Sequence, residues 1–134
     1  MVYGPDLRIP QLAAGFITRR SSLARRSQVI GRFMRSMAEA AKIIHADKEL
    51  TFKVLGKQLR VNDRKILESA YNSEIKVLEP RLAIKLEALQ AILDDVALVD
   101  TRARKVKPED LIDRRFLDEM EKSGFFNKLW GEKS

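Results

Sequence analysis

Apolar residues recur at helical spacing along most of this chain. Between about Ser21 and Ala46, Ile30, Phe33, Met34, Met37, Ala41 and Ile44 fall on one stripe of a long helix that Ser21 or Ser22 would cap. Gly31 inside that helix costs about 1 kcal/mol relative to alanine and so marks a place of close packing. A second helix is predicted from about Lys48 to Arg60, with Leu50, Val54, Leu55 and Leu59 on one side. Asn62 or Asp63 then caps a third, whose face is Leu67, Tyr71, Ile75 and Leu78, and Pro80 interrupts. Leu82, Leu86, Leu89, Leu93 and Val96 alternate at four and three in a fourth helix, about Leu82 to Val99. Barely two heptads are present there, so the pattern is ordinary core packing rather than a coiled-coil seam.

The ends read differently. Residues 1–10 hold Gly4, Pro5 and Pro10 and form an irregular lead-in, whereas Gln11 to Thr18 is short and apolar, which suits one buried strand. After the basic loop Arg102 to Lys107, two short helices follow. Pro108 fits the first helical position, and Glu109 and Asp110 favour its positive end. Asp113 caps Arg114 to Lys122, and Gly124 sits where a left-handed cap belongs. Phe125 to Trp130 is an apolar tail that packs on the core, and residues 127–134 close the chain.

The stretch from Lys107-Pro108-Glu109-Asp110 through Asp113-Arg114-Arg115-Phe116-Leu117-Asp118-Glu119-Met120-Glu121-Lys122-Ser123-Gly124-Phe125 resembles the C-terminal end of a known family. That family is the solute-binding proteins of ABC importers for taurine, aliphatic sulfonates, nitrate and thiamine-pyrimidine precursors. Gly15 to Leu23 is similar to the family's strand leaving the second lobe, and Arg32 to Ala40 to the helix after it. Leu59 to Tyr71 and Glu87 to Asp95 match a later loop-helix and the next helix, so the similarity covers about residues 12 to 126 in the family's order. Where the family carries a Pro-aromatic-Pro turn, this chain has only Pro80 within Leu78-Glu79-Pro80-Arg81.

The resemblance implies a mainly α chain forming the C-terminal helical part, residues 11–126, of a two-lobed α/β periplasmic-binding-protein-like fold of type II, with one N-terminal strand over 11–18. It also implies capture of a small anionic, sulfonate-like or pyrimidine-like solute for an ABC permease, outside the cytoplasm and without chemistry. The solute would be held together with the other lobe, and contributors from this segment would lie near Gly15 to Thr18. No individual ligand-binding residue is assigned. Met1 to Arg8 has no basic n-region leading into an apolar core, so no export signal is read, and a truncated or partial binding protein is expected.

Composition narrows the alternatives. At 134 residues the chain is one domain or part of one, and 45% hydrophobic content speaks against wholesale disorder. Cysteine is absent, which excludes disulfides and thiolate metal sites. The net charge of +7 is concentrated between Arg19 and Lys42, where Arg19, Arg20, Arg25, Arg26, Arg32, Arg35 and Lys42 face one acid, Glu39. A basic helical nucleic-acid binder is one alternative function. The stretch carries no aromatic for stacking bases except Phe33, which lies on the apolar stripe, so a solvated helix face is the preferred reading and no specific nucleic acid is expected. A helical interaction module is another alternative, self-associating through the N-terminal strand or the Phe125 to Trp130 tail.

Nothing points to an enzyme, a cofactor or a metal. His45 is the sole histidine and is best placed as a helix C-terminal residue favourable to the dipole. Asp94 and Asp95 are adjacent and point about 100° apart on a helix, so they cannot share a proton. Glu119 and Glu121 read as solvated, and the six glycines form no phosphate-binding pattern.

Overall fold

The computed structural model describes residue 12 and residues 15–132. The helices are α1 (Arg20–Arg25), α2 (Ser27–Ala46), α3 (Lys48–Leu59), α4 (Arg64–Glu74), α5 (Leu86–Ala97), α6 (Arg115–Lys122) and α7 (Phe125–Trp130), with 3-10 turns at Thr101–Lys105 and Pro108–Leu111. The chain is mainly α. It divides into two compact units, Arg19–Ala83 with Phe116–Ser134, and Met1–Thr18 with Ile84–Arg115.

The strand expected over 11–18 is not formed. Leu12 and residues 15–18 carry no strand, Gln11, Ala13 and Ala14 lie outside the described residues, and so does the lead-in at 1–10. A strand is held by a ladder of hydrogen bonds to a neighbour, and no strand exists among the described residues to supply one. Ile17 is fully exposed instead.

In the first unit α2 is the organising element. Ala38 is completely buried beneath Leu117, Met120 and Phe126, and Met34, Leu82, Phe125, Leu129 and Trp130 pack around that cluster. Small residues on α2 let the C-terminal helices approach closely. A Cβ on Gly31 would already touch Phe116 at 3.4 Å. The long helix expected from Ser21 or Ser22 is broken at Arg26, whose ψ of 29° leaves the helical range, and neither serine caps it.

Local capping sets the later boundaries. Asp47 accepts from Leu50 N to start α3, and Asp63 accepts from Lys65 N to start α4. Between them Arg60 adopts a left-handed conformation (φ 55°), and Val61 N donates back to Gly56 O at 3.0 Å. Tyr71 Oη donates to Ile44 O, tying α4 to the end of α2. Gly124, at φ 70°, ends α6 and opens α7, so the apolar tail is a docked helix that runs across residues 126 and 127.

In the second unit α5 packs against both 3-10 turns around Leu93, Ala97 and Ala103. It begins at Leu86, not Leu82, because Leu82 takes a positive φ of 57° and packs in the first unit's cluster. Asp100 and Asp113 accept from Arg102 N and Arg115 N, fixing the first 3-10 turn and the start of α6.

Gly56 tests the tight return after α3. A Cβ there would stand 2.9 Å from the Val61 carbonyl oxygen, a backbone atom that cannot swing aside. Overpacking of about 1–3 kcal/mol outweighs the ~1 kcal/mol helix advantage of alanine. Gly56→Ala is therefore expected to lower the urea midpoint with an unchanged m-value, and a higher midpoint would contradict the packing described.

Candidate functional site

The first unit carries a groove between α3 and α4. It encloses about 470 Å³ and is lined by Phe52, Gly56, Val61 and Leu67 with Glu49, Lys53, Lys57 and Arg64 at its edges. Phe52 and Leu67 are buried, so its floor is apolar. Two ion pairs bracket Phe52. Lys48 Nζ meets Glu68 Oε1 at 2.7 Å, and Arg64 binds Glu49 in a two-pronged pair, Nη1 to Oε2 at 2.9 Å. Both cations also lie over the Phe52 ring, at 5.4 Å and 5.2 Å, while Tyr71 meets that ring edge-on at 5.7 Å. The hydrogen bond from Arg64 holds the Glu49 carboxyl below its ordinary range, and Lys48 does the same to Glu68. Lys48, Glu49, Arg64 and Glu68 are thus each committed to a partner. The apolar floor of the groove can receive an apolar side chain.

A second recess, about 340 Å³ in the other unit, lies between α5 and the 3-10 turns and is lined by Leu93, Ala97, Ala103 and Pro108, with Asp94 and Lys107 at its rim. Gln90 Nε2 donates to Asp94 Oδ1 at 2.8 Å, and Asp95 is exposed, so the adjacent aspartates act separately.

His45 is a structural strut. Its Nε2 lies 3.1 Å from Leu78 O and its ring meets Trp130 edge-on at 5.7 Å. Among the described residues no group of three or more His, Cys, Asp or Glu could hold a metal ion. Gly15 to Thr18, where solute contacts are expected, is exposed throughout.

The basic stretch splits in two. Arg35 binds Glu119 at 2.7 Å and lies over Phe125, and Lys42 sits 4.6 Å above the Trp130 ring. Arg19, Arg25, Arg26 and Arg32 are exposed. Glu119 and Glu121, read from the sequence as solvated, are ion-pair partners. Glu121 binds Arg81 at 2.8 and 3.1 Å, and the same guanidinium donates to Asn127 and Glu132 and lies over Phe126. These bonds, first that of Glu132 and then that of Glu121, raise the Arg81 pKa further. Arg81 is the residue that sequence reasoning missed. Its partners lie 40 or more positions away, beyond any local spacing rule.

No helix among the described residues is long and apolar enough to cross a membrane. The chain matches no protein-family model, no curated protein and no solved structure.

The lowered carboxylates give the pH dependence its sign. Glu49, Glu68, Asp100 and Asp113 all titrate lower when folded, each chiefly because a basic neighbour (Arg64, Lys48, Arg102 and Arg115 respectively) bonds the ionised form. Their contribution is fully present above the unfolded carboxylate range, about 3.9–4.3, and is lost as pH falls through it towards the lower folded values. Urea midpoints should hold from pH 7 to 5 and drop below about pH 4. Glu49→Gln should shrink that drop, and an acid response identical to the parent chain would remove the pair from the account.

Proposed function

We propose that this chain forms the C-terminal helical part of an extracytoplasmic solute-binding protein of an ABC importer. In this reading it helps to hold a small anionic, sulfonate-like or pyrimidine-like solute, delivers it to a membrane permease and performs no chemistry. The observation that carries the reading is the ordered likeness of five segments, ending in the Lys107 to Phe125 stretch. The physical design of that stretch agrees with it: an aspartate cap, an eight-residue helix, a left-handed glycine and a docked aromatic helix. The groove at Phe52 and the recess at Leu93 offer shape without reactive groups, which suits binding rather than catalysis.

Binding between two lobes needs two preformed walls, and the anion-holding helix N-termini of that family belong chiefly to the lobe this segment does not represent. The chain by itself is therefore expected to give no saturable heat in calorimetry with taurine, alkanesulfonates, nitrate or pyrimidine precursors. Residues 15–132 placed in a family member, in exchange for its corresponding segment, should fold and bind that member's solute. A one-to-one isotherm from the isolated chain below about 10 μM, roughly −7 kcal/mol, would show a complete site here. An unfolded chimera would sink the reading altogether.

A further inference from the structure

Helix α2 is apolar on two sides. One side holds Ala38 against α6 and α7. On the opposite side Val29, Phe33 and Ile43 are 53%, 43% and 44% exposed, with Ser36 and Ala40 between them. At about 100° per residue these five positions fall within roughly 80° of one another, a stripe about 21 Å long. Arg32 and Glu39 stand side by side along one edge of it, seven residues apart, and neither is in an ion pair among the described residues.

We infer that this stripe is a self-association face, and that its occupant is α2 of a second copy of the chain, antiparallel and related by a two-fold axis at Ser36. The stripe is complementary to itself in three ways. Reversing the helix about Ser36 sets Val29 opposite the Ile43 position of the partner helix, apolar on apolar. It sets the large Phe33 ring beside the small Ala40 position, the large-against-small alternation that lets helices interdigitate. It also brings Arg32 within one residue, about 1.5 Å along the axis, of the Glu39 position opposite. A two-fold axis keeps the same edge of both helices together, so this charge pair forms twice. The serine at the centre is small enough for close crossing. A parallel two-fold pairing would carry the Arg32 and Glu39 edges of the two helices to opposite sides of the seam, where these charges do not meet, so the charges also choose the orientation.

One helix pair falls at or below the small end of specific interfaces, which places the dimer in the micromolar range, about 10–100 μM. The face differs from the Phe125 to Trp130 tail that the sequence suggests for pairing, because Phe126 is only 1% exposed and spent on the core. It is also independent of the solute-binding reading.

Sedimentation equilibrium of the full chain from 10 μM to 1 mM is the test. The average mass should climb from monomer towards dimer. Arg32→Glu sets glutamate against Glu39 twice, and Glu39→Arg sets arginine against Arg32 twice, so each variant alone should dimerise at least tenfold more weakly. An equimolar mixture of the two variants restores opposite charges at every contact, and it should recover dimerisation as a heterodimer. Recovery in the mixture also shows that both variants are folded. A parent chain that stays monomeric at 1 mM, single variants that dimerise undiminished, or a mixture that does not recover would each overturn the inference. So would a monomeric chain whose stripe is protected only by anionic vesicles or duplex DNA.

Discussion

The first unit depends on one long-range packing event, the closure of α6 and α7 over the small-residue face of α2. Ala38 is buried there because nothing larger would let Met120 and Phe126 sit 1% exposed against the helix. Once that contact forms, other features are drawn into place. Trp130 comes to rest between His45 and Lys42. Arg81 can reach Glu121, Asn127 and Glu132 together, fastening the segment after α4 to both C-terminal helices. Leu82 is held in the same cluster at the cost of a positive φ, which is why α5 cannot begin there.

This economy of charge bears on function. A chain with 45 Lys, Arg, Asp and Glu side chains, 26 basic and 19 acidic, has ample material for a reactive site. Yet the acidic groups with shifted titration are held by specific arginines or lysines, each in a partly exposed pair. Exposed pairs contribute little stability individually, but they fix side-chain positions.

Features set by adjacent residues were legible in the sequence. Asp63 caps α4, Gly124 is left-handed, α3 spans nearly its expected range, and the aromatic tail joins the core. These depend on hydrogen bonds and spacings within one or two turns, so a local pattern contains them. What was not legible rests on distant partners. The late start of α5 and the unformed strand at 15–18 concern segments whose conformation their neighbours in space decide. Arg35 with Glu119 and Arg81 with Glu121 are 84 and 40 positions apart, and each looked like an ordinary surface charge. The groove at Phe52 was hidden for the same reason. It needs α3 and α4 folded against each other before its floor exists.

The central claim is that the Phe126 contact on α2 holds the first unit together. Equilibrium unfolding of Phe126→Ala, followed by Trp130 fluorescence and far-ultraviolet circular dichroism, tests it most directly. Removing a buried phenylalanine costs about 3–5 kcal/mol. The account predicts a loss of that size, with Trp130 becoming solvated and the helical signal of the whole first unit falling with it. A loss under about 1 kcal/mol, the scale of an ordinary surface substitution, with Trp130 still half-buried, would show that the C-terminal helices are ornament on a unit that stands without them.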